Sequence, residues 1–250
     1  MRIDLTGRIV ILTGAGGGIG SASAKLLVES GAHVICVDQN EAALQELAMS
    51  LPQNQITLLP ISINDAESAS RVIEHSMSLH NHIDALIHMS AVLDVLEIDE
   101  VTEEQWQKHM DANVNATFFL ARAAANIMKA QNEGGRIILM SSVGWLSGGM
   151  STRLPYATTK GAVTTMARGL AKAYGPFGIT INTIAPGLID TAMMRKGLSA
   201  SARSAMEEAT PLKRFGTPEE VAAVVVFLAS DAASFISGAA INVSGGFALY

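Results

Sequence analysis

The chain has one cysteine, Cys36, among its 250 residues, so no disulfide can close within it. Cys36 stands inside the apolar run Val34-Ile35-Cys36-Val37 and reads as a small buried side chain, not as a nucleophile or metal ligand. Long hydrophobic runs are missing too. Nothing approaches the roughly 20 apolar residues that span a bilayer, and Arg2 and Asp4 precede only a short apolar stretch. No membrane association is expected, and the expected location is cytoplasmic. Charge is sparse: 17 Lys and Arg stand against 23 Asp and Glu, and the cations form no cluster of the kind a phosphate backbone requires. Nucleic acid is therefore not expected as a partner. Linkers, repeats and low-complexity tracts are absent, so residues 1–250 are expected to form a single domain, with no metal.

What the chain does have is apolar residue along its whole length, 49% in all, enough to bury a large core. Short β-rich runs at 8–13, 33–38, 56–62, 85–88, 136–141, 180–185 and 240–243 alternate with longer helical patterns. Ile9-Val10-Ile11-Leu12 and Ile137-Ile138-Leu139-Met140 lack polar alternation, as strands buried on both faces do. In the segment 41–51, Leu44, Leu47, Ala48 and Leu51 share one helical face. Thr217-Pro218-Glu219-Glu220 is a helix start, with a capping threonine, proline in the first turn and glutamate reaching back. The expectation is an α/β protein with a Rossmann-type, doubly wound, seven-stranded parallel sheet and helices on both faces. The stretch 190–215, rich in Ser, Ala and Met, follows a strand end and is placed to cover a site.

The first strand runs into Thr13-Gly14-Ala15-Gly16-Gly17-Gly18-Ile19-Gly20 and then a helix expected to begin near Ser21. The spacing is Thr-Gly-x-x-x-Gly-x-Gly, because Ile19 falls where the third glycine of Gly-x-Gly-x-x-Gly would stand. A flexible glycine-rich loop shares that composition. The strand before and helix after favour a dinucleotide-binding turn, whose backbone N–H groups and helix terminus can approach a pyrophosphate. Asp38 lies 20 residues beyond Gly18 and can accept both ribose hydroxyls of NAD; capping the helix that starts near Glu41 is the alternative. Gln39, Asn40 and Gly17 leave no Lys or Arg nearby for a 2′-phosphate, so NAD is expected over NADP.

Tyr156 and Lys160 are four residues apart, on one face of a helix, and their polar ends can converge on a cleft. A free phenol is a poor base at neutral pH, but a lysine ammonium favours its ionised form. Alone, such a pair is more often a solvated face or a packing contact. Its companions make the pattern specific. Thr13-Gly14 through Gly20, Asn113, Ser142, Tyr156 with Lys160, and Asn182-Thr183-Ile184-Ala185-Pro186-Gly187 resemble the short-chain dehydrogenases/reductases in order and spacing. The run Arg214-Phe215-Gly216-Thr217-Pro218-Glu219-Glu220-Val221-Ala222, then Phe227-Leu228-Ala229-Ser230-Asp231, Gly238 and Gly245-Gly246, looks like the branch of 3-oxoacyl-carrier-protein reductases. The likeness covers essentially the whole chain.

That resemblance implies an NAD(H)-dependent oxidoreductase moving a hydride between nicotinamide and a secondary alcohol or ketone, a 3-oxoacyl thioester being the first guess. It makes Tyr156 the acid/base, Lys160 the ribose ligand that lowers the tyrosine's pKa, Ser142 the partner of the substrate oxygen, and Asn113 the anchor of a water linking Lys160 to solvent. Ser141 is structural in this reading. Gly14, Gly16, Gly18, Ile19 and Gly20 line the coenzyme, with Pro186, Gly187, Ile189 and Thr191 toward the nicotinamide. A homotetramer is implied, with the apolar ending Gly246-Phe247-Ala248-Leu249-Tyr250 suited to a subunit contact.

Two segments depart from the family pattern. The fourth strand ends in His88-Met89-Ser90-Ala91 where the family has Asn-Asn-Ala-Gly, leaving His88 and Ser90 to supply different hydrogen bonds near the coenzyme. Ser62-Ile63 replaces Asp-Val, so the adenine amino group meets a hydroxyl instead of a carboxylate. A catalytically weak NAD-binding sensor or scaffold of the same fold is the competing expectation. Substrate contacts are expected from 143–154, from Leu93-Asp94 and from the segment after Gly187, with Trp145, Leu146, Leu188, Met193 and Met194 forming an apolar pocket. Arg153 and Arg195 are both placed to meet an anionic group or to stay solvated.

Overall fold

The computed structural model describes residues 3–195 and 198–250; Arg2 lies outside them. Seven strands, β1 (Ile9–Thr13), β2 (His33–Val37), β3 (Ile56–Leu59), β4 (Ala85–His88), β5 (Gly135–Met140), β6 (Ile179–Pro186) and β7 (Ala240–Val243), form one sheet in the order β3-β2-β1-β4-β5-β6-β7. Every pairing is parallel. This is the seven-stranded, doubly wound sheet that the pattern of apolar runs predicts. Strand ends differ in instructive ways. The third strand, expected to reach 62, stops at Leu59 because Pro60 has no N–H to donate to the ladder. Asp38 lies one residue past the end of β2.

Among the described residues ten helices, with several single turns, connect the strands: α1 (Gly18–Glu29), α2 (Glu41–Met49), α3 (Ala66–His80), α4 (Glu103–Met110), α5 (Ala116–Gln131), α6 (Gly144–Ser147), α7 (Leu154–Tyr174), α8 (Ala192–Arg195), α9 (Ala200–Ala209) and α10 (Pro218–Ala229). Successive strand residues point to opposite faces, so Val10, Leu12, Val34 and Cys36 pack with α1, α2 and α10, while Ile11, Ile35 and Leu86 pack with α3, α5 and α7. Both faces are thereby covered, which explains the unbroken apolar runs. Each fully buried Leu or Ile contributes about 1.5–3 kcal/mol to this core. No helix among the described residues is long and apolar enough to cross a membrane.

Two helix starts test the local reading. Thr217 caps α10 as expected: its side chain accepts from Glu220 N, and the Glu220 carboxylate accepts from Thr217 N at 2.8 Å. The first helix begins at Gly18, not near Ser21, capped by Gly17 through backbone alone. Its opening N–H groups therefore belong to the glycine run itself. The strand order places β1 beside β4, and the chain leaves their carboxyl ends in opposite directions, opening a crevice there. The turn after Thr13 and the segment after His88 face each other across it.

Candidate active site

Thr13 joins the two sides of the crevice. Its Oγ1 accepts from Met89 N (3.2 Å) and Ser90 N (3.3 Å) and lies 2.7 Å from His88 Nδ1. With both lone pairs used, the hydroxyl donates to Nδ1, so the imidazole carries its proton on Nε2. That Nε2 is buried without a partner, and burial, reinforced by the charge of Lys160, pulls His88 down to about 3. His88 is thus a neutral histidine pinning the end of β4, a structural role.

Beyond Thr13 the chain needs glycine for two different reasons. Gly14 has φ +70°, and a Cβ there would lie 2.9 Å from Ser90 N. At Gly20 a Cβ would run into the Gly14 carbonyl. The result is a bare cradle of backbone with the N-terminus of α1, free of any side-chain cap, at its centre, a site suited to a pyrophosphate. Asp38 closes its outer edge, accepting from Gly16 N (3.0 Å) and Asn40 N (2.9 Å). The cap of α2 is Asn40, whose side chain accepts from Ala43 N, so the carboxylate serves the turn and not the helix. Two N–H groups leave it lone pairs for further hydroxyl donors.

At the other end of the crevice, α7 presents Tyr156 and Lys160 on one face. The Lys160 ammonium donates to Met140 O at 2.7 Å and lies 5.3 Å from the centre of the tyrosine ring. Burial lowers Lys160 to about 8 and raises Tyr156 to about 12, the latter against the pull of Arg153. The phenol is therefore protonated at neutral pH. Ser142 follows β5 and accepts from Gly144 N at 3.2 Å, while Ser141 is buried against Lys160 O and Thr164 Oγ1. Both serines border the cavity, but the Ser141 hydroxyl is taken up by α7 while that of Ser142 is engaged only by a backbone N–H.

Asn113 sits in a π-helical turn, Asp111–Asn115, between α4 and α5. Its side chain clamps Val92 through both N–H and C=O (2.8 and 2.9 Å) and donates to Thr159 Oγ1 at 3.1 Å, tying the loop after β4 to α7. Its backbone carbonyl accepts from Thr117 Oγ1. Neither the π turn nor the partnership with Thr159 leaves a mark in the sequence pattern.

One continuous cavity of about 740 Å³ joins the two ends. Gly14, Gly16, Gly18, Ile19, Gly20, Ser142, Tyr156, Lys160, Pro186, Gly187, Ile189 and Thr191 all line it. Asn113, Asp38, Ser62, Ile63 and Ser90 do not. Asp38 touches its rim through Gly16, Ile63 is packed in the core under α3, and Ser62 hydrogen-bonds Gln39 and Asn64. Leu93, Leu146, Leu188, Met193 and Met194 line the cavity as expected. Trp145 does not: its ring packs on Tyr250 and under Arg168. Asp94 turns away to Lys108.

The stretch 190–215 lines the cavity through Thr191, Ala192, Met193, Met194 and Met206, and its residues 196 and 197 lie outside the described residues. Asp190 anchors it, paired with Arg203 and Arg195, which hold its carboxyl at about 2. Thr191 lies over the turn at Gly18. Met206 and the tail residues Phe247, Ala248 and Leu249 complete the wall, contacts that no local sequence signal announces. The bare glycine cradle, the carboxylate at its rim and Ser142, Tyr156 and Lys160 beyond fit a nicotinamide dinucleotide lying along the cavity.

The family model described as enoyl-(acyl carrier protein) reductase matches residues 14–248. A 3-oxoacyl-(acyl-carrier-protein) reductase of Rickettsia conorii is 39% identical over 245 residues, 98% of either chain. An NAD-dependent glycerol dehydrogenase of Listeria innocua is 31% identical over 98% of this chain and 96% of its own. A solved structure from Brucella melitensis, a short-chain dehydrogenase/reductase described as glucose/ribitol dehydrogenase, covers the whole of both chains with a TM-score of 0.92 at 30% identity.

Proposed function

This chain belongs to the short-chain dehydrogenases/reductases and is an oxidoreductase acting on CH–OH groups, and from that premise we propose that it uses NAD(H) to interconvert a secondary alcohol and a ketone. The observation that carries the reading is the meeting of Ser142, Tyr156 and Lys160 with the glycine turn in one cavity. When bound, nicotinamide supplies or takes up the hydride. The chain's residues orient the reactants and handle the proton. Ser142 Oγ holds the substrate oxygen, and Tyr156, protonated at neutral pH, gives that oxygen its proton in reduction. The Lys160 ammonium, fixed by the Met140 carbonyl, holds the ribose and favours the phenolate needed for oxidation. Asn113 positions α7 from behind and anchors a water on the route to solvent.

Asp38 supports NAD over NADP, because a 2′-phosphate would meet a carboxylate already fixed at the rim of the turn. The likeness to 3-oxoacyl-(acyl-carrier-protein) reductases makes a 3-oxoacyl thioester one substrate to test, and the likeness to a glycerol dehydrogenase makes a small polyol another. No feature of the site favours the sensor alternative. The proposal includes a homotetramer in the cytoplasm: the edge strand β7 is half-buried along its length and Phe235 is fully exposed, surfaces a second copy would cover. A monomer in sedimentation overturns that part.

The test follows NADH and NADPH absorbance against thioesters, diketones, cyclic ketones, sugars and polyols. NADH-linked turnover that falls about 1000-fold in Tyr156→Phe is expected; turnover retained by the variant removes Tyr156 from the mechanism. Replacing Asp38 by Ala and Gln39 by Arg together is expected to shift preference toward NADP by about tenfold or more. An unchanged coenzyme ratio means that Asp38 does not hold the ribose.

A further inference from the structure

The cavity contains two cations, Arg153 and Lys160, and none of its described lining residues is Asp or Glu. Lys160 gives one N–H to the Met140 carbonyl and, in the reading above, the others to the ribose. Among the described residues Arg153 has only a weak partner: its Nε is buried with no hydrogen-bond partner, and its Nη1 reaches the Met194 sulfur at 3.7 Å. The other arginine open to this role, Arg195, is 62% exposed and paired with Asp190 at 2.7 Å. The geometry thus separates two residues the sequence could not.

Position sharpens the contrast. Arg153 is the N-cap residue of α7, three residues before Tyr156, so the two share the first turns of one helix. The helix begins without a side-chain cap and without an acidic residue in its first turn. A guanidinium here adds positive charge to the positive end of the helix dipole. Two positive sources stand together at an apolar wall in a chain of net charge −6, with no anion of the chain's own among the described lining residues. A planar guanidinium with free N–H groups matches a carboxylate, which can take both edges of the fork at once.

We propose that Arg153 receives a carboxylate carried by the substrate, so that the reacting alcohol or ketone is a short hydroxy or oxo acid. This rests on the dehydrogenase reading, with the reacting oxygen held at Ser142 and Tyr156. The overall change is hydroxy acid plus NAD⁺ to oxo acid plus NADH and a proton; the carboxylate passes through unchanged. A single fork matches a monoanion, and among the described lining residues the one other cation, Lys160, is assigned above to the ribose. An acyl thioester brings no charge beside its carbonyl and leaves the fork unpaired.

The test is calorimetry on the NADH-loaded Tyr156→Phe protein, where binding is read without turnover. The probes are 2-, 3- and 4-oxo acids of three to five carbons, each with its methyl ester as the uncharged control. At least one acid is expected to bind about 100-fold more tightly than its ester. Arg153→Gln should erase that ratio and Arg153→Lys should keep part of it. Acids that bind no better than esters, or a ratio that survives Arg153→Gln, overturn the proposal. So does a loss of NADH affinity in Arg153→Gln as large as the loss of acid affinity, which would place the guanidinium on the coenzyme. Neutral ketones turned over by the unaltered enzyme without any acid preference overturn this inference alone. Tight, Arg153-dependent acid binding with no NADH-linked turnover of any carbonyl would overturn the dehydrogenase reading and leave the carboxylate receptor standing.

Discussion

At the glycine end of the cavity the decisive positions are those with nothing beyond Cα, whereas at the tyrosine end they are polar side chains whose protonation has been shifted by burial. Gly14 and Gly20 let two stretches of backbone touch, and the helix N-terminus beside them carries no side-chain cap. His88, Lys160 and Tyr156 have their pKa values moved by burial to about 3, 8 and 12. One end thus offers preformed backbone dipoles, with no room for a side chain at Gly14 or Gly20. The other holds protonation states set by packing, so substitutions there should appear as pH effects before they appear as lost folding.

The largest expected effect breaks the first half of that contrast. Gly20→Ala places a methyl against the Gly14 carbonyl and within 3.0 Å of the Ala15 Cα, both of them backbone. Thermal unfolding should show a loss of about 3 kcal/mol, and fluorescence titration should show NADH binding weakened by well over tenfold. Normal binding would mean that the turn opens freely.

A smaller effect sharpens the second half. Unfolded, His88 titrates near its ordinary value of 6.5; folded, it is neutral down to about 3. Between those values the unfolded chain binds a proton that the native chain refuses, so stability is fully present above pH 6.5 and falls with acidification, by about 1.4 kcal/mol per unit. His88→Asn should flatten the stability profile between pH 6.5 and 4. An unaltered slope would assign the acid limb to other groups.

The smallest effect shows that the demand for glycine is local. Gly169 lies exposed in α7 without a positive φ, and a methyl added there would meet nothing within 4 Å. Gly169→Ala should raise stability by about 0.5–1 kcal/mol in chemical denaturation, leaving coenzyme affinity as it was.

Much of this is legible in the chain because it is local. The strand-turn-helix around Gly14, the four-residue step from Tyr156 to Lys160 and the Thr217 cap are all short-range patterns. What escapes depends on neighbours distant in sequence or on backbone alone. The start of α1 is hidden because Gly17 caps it without a side chain to mark it. Ser62 and Ile63 fall outside the cavity lining because β3 ends early, a consequence of Pro60 that the apolar pattern conceals. Met206 and the tail reach the cavity through packing, and the difference between Arg153 and Arg195 arises only once Asp190 is seen to claim the second.

The cavity wall has one more property, a redox one. Met89, Met140, Met150, Met193, Met194 and Met206 all contribute to it, and a thioether converted to its sulfoxide turns an apolar contact polar. The lone thiol, Cys36, is shielded in the core and raised to about 12, so it is protonated and inert under ordinary conditions. Oxidants therefore act on this protein through its methionines, and peroxide reaching Met193, 47% exposed, meets the substrate wall before it meets the core.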